Sequence, residues 1–120
     1  MSDIQSYLSI FAERVEIYKK WDTHLRDFLA NRNFTAYNTA IQETTQSLRT
    51  LRENVKKIEY PDNLTIIISS IELLEDQHLK ANVEYHTGKI TGNSDSRNTV
   101  RKIEEEIMEL IQELSNEEES

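Results

Sequence analysis

The sequence has no cysteine, one proline and only two glycines in 120 residues. The lack of cysteine excludes disulfide bonds and thiolate metal sites. With so few helix breakers, little material remains for hairpin turns or a glycine-rich phosphate loop. Long apolar runs are also missing, since Ile66–Ile68 is far too short to cross a membrane. Neither a basic region nor an apolar stretch follows Met1, so we expect no signal peptide and a location inside the cell.

What the chain does have is apolar side chains at spacings of three and four residues, in four separate stretches. These seams run over Ile4–Leu29, Phe34–Ile58, Leu64–His78 and Val100–Leu114. Residues with this spacing share one face of a helix, and such helices bury that face against one another. The sequence therefore predicts an all-α protein, an elongated antiparallel bundle of three or four helices. Seams this regular could also pair between chains, so a homodimer is an alternative.

The predicted organisation is a single helical bundle domain over residues 1–114, followed by a disordered acidic tail at 115–120. Helix 1 is expected at Asp3–Asn31, helix 2 ends near Glu59 before Pro61, and helix 3 continues to about His86. A flexible loop is expected at about 87–98, and helix 4 then runs to about Leu114. The expected N-caps, in chain order, are Ser2, then Asn33 or Thr35, then Asp62 or Asn63, and finally Asp95, Ser96 or Asn98.

One irregularity interrupts the first seam. Asp22 falls where an apolar residue is due, and Trp21 lies beside it. We interpret this as a local rotation that lets Trp21 pack while Asp22 reaches solvent. The alternative is a buried aspartate with a functional role.

The sequence contains fragments of catalytic and metal-binding motifs but no complete set. Glu75 and His78 have the Glu-x-x-His spacing of di-iron bundle sites, yet such a site needs a second motif and two further glutamates. We therefore interpret His78 as a hydrogen-bonded histidine at the edge of the core. His24 and His86 lie on predicted helices, without the strand-to-helix turn that presents a catalytic serine. We expect no enzyme activity, no bound metal and no cofactor.

Charge is divided unevenly between the two halves. Residues 1–60 hold eight acids and nine bases, a net of +1, whereas residues 61–120 hold fourteen acids and five bases, a net of −9. The total of −8 does not suit non-specific DNA binding, because contacts to phosphates need Lys and Arg. Direct DNA binding is therefore expected to be weak at most.

Helix 2 carries the main basic cluster, formed by Arg49, Arg52 and Lys56 on one predicted face. Helix 1 adds Arg14, Lys19, Lys20 and Arg26. Adjacent packing of the two helices would make one basic surface, and the alternative is a solvated face with salt bridges. The predicted partner-binding surface joins helices 1 and 2 and consists of Trp21, His24, Arg49, Arg52 and Lys56.

The outer face of helix 4 is predicted to be strongly acidic. Its glutamates are Glu104, Glu105, Glu106, Glu109 and Glu113. Ser94 and Ser96 in the loop and Ser115 before the tail are candidate phosphorylation sites. Phosphorylation there would add negative charge and create a spot that binds arginine.

Several positions resemble a known family. On helix 1 they are Arg14, Val15, Tyr18, Trp21, His24, Phe28 and Leu29; on helix 2 they are Phe34, Tyr37, Ile41, Thr44 and Thr45; on helix 3 they are Ile71, Glu72, Leu74, Glu75, His78 and Leu79. Over about residues 10–85 the chain resembles the required-for-excision B-type domain family, whereas the loop from Thr87 and helix 4 do not match it. The resemblance implies a small helical protein linked to DNA excision repair, without catalytic residues, in or near the nucleus.

The leading hypothesis is a non-enzymatic adaptor in DNA repair or chromatin maintenance that docks a protein partner on its helices. The alternative is a structural subunit whose seams complete a larger coiled-coil assembly. An enzyme with a metal site in the bundle core ranks last, because the metal motif is incomplete.

Overall fold

The computed structural model describes residues 3–92 and 96–119, with side chains as far as Glu117. Within these residues the chain forms four helices and no strand, which confirms the all-α class. The helices are α1 (Asp3–Asn31), α2 (Phe34–Lys56), α3 (Asp62–Thr91) and α4 (Arg97–Glu119). The bounds of α1 are those expected from its long seam, while its proposed cap, Ser2, lies outside the described residues.

The chain divides into two compact units, Met1–Glu59 and Tyr60–Ser120. In the first unit α1 packs on α2, and in the second α3 packs on α4. Each unit is thus a hairpin of two helices that buries one apolar seam against another. The prediction of a single domain over residues 1–114 stays a prediction.

The turn between α1 and α2 is tight, because its main-chain N–H groups donate hydrogen bonds to a carbonyl of α1 and to a side chain within the turn. Arg32 adopts a left-handed φ of 56°, and its N–H donates to the Phe28 carbonyl at 2.7 Å. The Asn33 side chain then accepts a hydrogen bond from the Ala36 N–H at 3.1 Å, which caps α2. Of the two predicted caps, Asn33 is the one used. A two-residue connection leaves α2 antiparallel to α1.

The predicted ends of the second and third helices are wrong. The second helix ends at Lys56 rather than near Glu59, whereas α3 continues past His86 to Thr91. Gly88 lies inside α3, where glycine costs only about 1 kcal/mol relative to alanine, so it does not stop the helix. Gly92 does, because it adopts a left-handed φ of 73° and its N–H donates to the Gly88 carbonyl at 2.8 Å.

The expected loop at 87–98 is correspondingly shorter, since α4 already begins at Arg97. The Ser96 carbonyl accepts hydrogen bonds from the N–H groups of Thr99 and Val100, which places Ser96 at the helix start. The candidate phosphorylation site Ser94 and the candidate cap Asp95 lie outside the described residues.

Helix α4 continues beyond Leu114 to Glu119, so the predicted disordered tail is wrong over 115–119. Glutamate is a good helix former, and a helix already anchored by Leu114 can continue over polar residues without burying them. Ser120 lies outside the described residues.

The core largely follows the predicted seams on α2, α3 and α4, but on α1 it is displaced by one position. There the buried Tyr7, Ile10 and Phe28 directly precede the predicted seam residues Leu8, Phe11 and Leu29, which are only half-buried. Tyr7 and Leu25 are fully buried in the first hairpin, and Ile71 and Leu114 in the second. Phe34, placed on the second seam, is instead 69% exposed. It is the first residue of α2 and meets the Phe28 ring edge-on at 6.3 Å between centroids, at the end of the hairpin where burial is incomplete.

Candidate partner-binding surface

Trp21 does not belong to a surface. Its side chain is 4% exposed, and its indole Nε1 donates to the Tyr37 hydroxyl at 3.3 Å. Tyr37 in turn packs against Phe28, with ring centroids 5.2 Å apart. Burial raises the pKa of the Tyr37 hydroxyl, and the hydrogen bond from Trp21 offsets part of that rise. The prediction that Trp21 contacts a partner protein is therefore corrected, because Trp21 joins α1 to α2 in the core.

The inward packing proposed for Trp21 is confirmed, but no local rotation is needed, because Trp21 lies on the same stripe of α1 as the buried Tyr7 and Arg14, at intervals of seven residues. Trp21 packs inward, and Asp22 is half-buried and forms an ion pair with Arg26 at 3.3 Å.

The other predicted partner-binding residues lie nearer the surface, but they do not all lie together. His24, Arg49 and Lys56 are exposed, and Arg52 is half-buried. Trp21 contacts Tyr37 near the start of α2, and His24 follows Trp21 by three residues. His24 therefore lies toward the α1–α2 turn. Lys56 is nineteen residues beyond Tyr37, or about 28 Å along α2. The basic cluster and His24 therefore lie at different ends of the hairpin.

Helix 1 contributes less to the basic surface than expected. Arg14 is 5% exposed, so it is a core residue and a second correction. Its position follows from helical spacing, since Arg14 lies four residues after Ile10 and seven before Trp21, both of which are buried. Lys19 pairs with Glu16 at 3.4 Å, as the salt-bridge alternative anticipated. Exposed pairs of this kind contribute little stability.

The second hairpin contains a polar contact that the sequence reading missed. His78 is buried on α3, and its Nε2 lies 3.0 Å from the Glu104 Oε2 on α4. The prediction of a hydrogen-bonded His78 is confirmed, whereas the prediction that Glu104 belongs to the outer acidic face omits this contact with α3. A signal was present, because Glu104 follows Val100 by four residues and precedes Ile107 by three, which places it beside the seam.

Further polar groups follow the same side of α3. Glu75, Asn82 and His86 are buried, and the Asn82 Nδ2 donates to the His78 carbonyl at 2.8 Å. Near the α3–α4 connection, the Arg97 Nη2 donates to the Tyr85 hydroxyl at 2.7 Å. In the part of the chain with described coordinates, no cluster of three or more His, Asp or Glu side chains is placed to hold a metal ion.

These features define a small all-α protein of two helical hairpins. A hydrogen bond between Trp21 and Tyr37 joins the helices of the first hairpin, and a contact between His78 and Glu104 joins those of the second. The chain belongs to the DNA repair REX1-B family, whose model matches residues 2–89. The resemblance predicted over about 10–85 is thereby confirmed at the level of a DNA-repair-associated family. The match takes in α1, α2 and most of α3 and leaves α4 outside. No curated protein and no solved structure gives a significant match.

No helix among residues 3–92 and 96–119 combines the length and apolar character needed to cross a lipid bilayer.

Proposed function

We propose that the protein is a non-enzymatic interaction module that acts in DNA excision repair or chromatin maintenance, in or near the nucleus. The observation that carries the proposal is the family match over residues 2–89, since the family is named for DNA repair. The module works by docking a partner protein on its helices and needs no cofactor.

The exposed part of the basic cluster supports docking on α2. Arg49 and Lys56 are exposed, and Lys56 forms an exposed ion pair with Glu53 at 3.5 Å. Charges in such positions steer an oppositely charged partner and set the rate of encounter. Because the whole chain is net acidic, we expect direct binding to duplex DNA to be micromolar or weaker at physiological salt.

Partner capture tests this surface directly. The double variant Arg49→Glu/Lys56→Glu leaves half-buried Arg52 in place, so we expect it to keep the native helix content. We expect it to recover less partner than the wild type in affinity purification followed by mass spectrometry. Lys80→Glu/Arg101→Glu makes the same charge change at exposed positions of the second hairpin and serves as the control. Equal loss in both variants would mean that net charge, not this surface, governs capture.

A structural subunit of a larger coiled-coil assembly is a second candidate, and the outer side of α3 favours it. Ile66 and Leu73 are 74% and 61% exposed. They are seven residues apart, so they lie on one stripe of the helix, as residues of a coiled-coil seam do. Solution mass separates the two candidates, since a stable monomer disfavours obligate assembly.

A further inference from the structure

An open groove of about 600 Å³ runs along the first hairpin and is lined by α1 and α2 alone. The α1 wall is a single helical stripe of Ser9, Ala12, Glu13, Glu16, Ile17 and Lys20. Ser9 and Lys20 are eleven residues apart, so the groove is about 16 Å long, or three helical turns. This length suits an inserted helix, which binds through residues spaced three, four and seven apart.

Small side chains create the groove. Ala12 on α1 and Ser47 and Thr50 on α2 are exposed and short, so they leave open the space that larger residues would fill. Beneath them lie Leu51, which is buried, and Ile17, which is half-buried, and these give the groove an apolar floor. A helix can approach such a surface closely, because the distance between packed helices depends on side-chain size at the contact.

The groove faces away from Lys56, the last residue of the basic cluster. Ser47 and Lys56 are nine residues apart on α2, which places them on opposite sides of the helix. A partner in the groove would therefore not contact Lys56.

Charge at the groove is confined to the α1 wall and is mainly acidic. Glu13 and Glu16 lie in its middle and Lys20 at one end, whereas the α2 wall consists of Gln46, Ser47, Thr50 and Leu51. The Glu16 pair with Lys19 is about two-thirds exposed on both sides, so water screens it and the carboxylate stays available to a second cation.

We infer that this groove binds an amphipathic helix of a partner protein. The face entering the groove carries apolar residues such as Ala and Leu, and Lys or Arg flanks that face opposite Glu13 and Glu16. The inference rests on the proposed function in that it identifies one docking site and the chemistry of its occupant.

Two synthetic helical peptides of about 18 residues, or about 27 Å, test the charge requirement. Both carry the same Ala–Leu seam, one with flanking lysines and the other with flanking glutamates. With the full chain, the lysine peptide is expected to bind about tenfold more tightly and to shift the NMR methyl signals of Ala12 and Ile17. Glu13→Lys should abolish this preference. Asp27→Lys makes the same charge change on α1 outside the groove and should preserve it.

Filling the groove tests its location. Ala12→Trp is expected to weaken the lysine peptide about tenfold with unchanged helix content. Ala30→Trp is the matched control, because Ala30 is also exposed on α1 but lies about 27 Å farther along the helix. Equal binding of the two peptides, or equal binding by both tryptophan variants, overturns the inference. A wild-type dimer that Ala12→Trp dissociates also overturns it, since a second copy would then be the occupant.

The groove and the repair role can fail separately. If the peptides do not discriminate while deletion of the protein sensitises cells to ultraviolet damage, only the groove is wrong. If the groove binds the lysine peptide as expected and deletion has no effect, the groove stands and the repair role falls.

Discussion

The indole Nε1 of Trp21 donates a hydrogen bond to the hydroxyl oxygen of Tyr37, and this contact joins α1 to α2 at 3.3 Å. Both side chains are buried, so the bond lies where water cannot replace it. Its position near the α1–α2 turn helps to set the register of the hairpin. The register in turn determines which residues of α1 and α2 line a common surface.

A double-mutant cycle with Trp21→Phe and Tyr37→Phe measures that bond. We expect the two substitutions to couple by about 0.5–1.5 kcal/mol in the free energy of unfolding, as for a buried hydrogen bond between neutral groups. Urea unfolding followed by circular dichroism gives the four values required. Coupling below about 0.3 kcal/mol, which is typical of independent sites, would show that the contact does not stabilise the hairpin.

Tyr37 should also make the protein less stable at alkaline pH. Burial raises its pKa in the folded state above the ordinary value of 10.0, so the unfolded chain loses this proton at a lower pH than the folded chain. The stability that the raised pKa of Tyr37 contributes is fully present below about pH 10 and is lost as the pH rises through the pKa of the folded state. Tyr37→Phe should therefore show a flatter decline in unfolding free energy above about pH 10. Parallel declines in the two proteins would contradict this.

Leu48 and Ile71 both lie on predicted apolar seams, but they differ in burial. Ile71 is fully buried in the second hairpin, whereas Leu48 is only half-buried in the first. Ile71→Ala should lower the unfolding free energy by about 2–5 kcal/mol, and Leu48→Ala by less, because fewer contacts are lost there. Chemical denaturation of both variants decides the order. A larger loss at Leu48 would show that the burial on the two seams is misassigned.

The contact between His78 and Glu104 should stabilise the second hairpin. Glu104→Ala leaves the buried imidazole without this acceptor and should cost about 0.5–1.5 kcal/mol, while Glu104→Gln keeps a carbonyl oxygen there and should cost less. Glu105→Ala changes the exposed neighbour and should have almost no effect. Thermal and urea unfolding of the three variants provide the test. Equal losses at residues 104 and 105 would assign the effect to net charge alone.

How far the sequence could predict this structure depended on the range of each interaction. The bounds of α1 and the Asn33 cap follow from local spacing and short-range hydrogen bonds, so they were predictable. The end of α3 was misjudged because Gly88 can occupy a helix interior at modest cost, and composition alone does not distinguish it from Gly92.

The candidate surfaces were less accessible to sequence reasoning. Whether Trp21 points at Tyr37, and whether Glu104 reaches His78, depends on the register between two helices, which is set by packing across the hairpin. The groove is equally hard to predict from the sequence, because its small residues come from positions more than thirty residues apart in the chain, such as Ala12 and Ser47.

The central claim, a repair role through protein interaction, is tested most directly by survival after ultraviolet damage. Cells lacking the protein are complemented with the wild type, with Arg49→Glu/Lys56→Glu, or with the control Lys80→Glu/Arg101→Glu. The proposal predicts reduced survival on deletion, full rescue by the wild type and the control, and incomplete rescue by the variant of the basic cluster. Unchanged survival and unchanged chromatin state on deletion would contradict it.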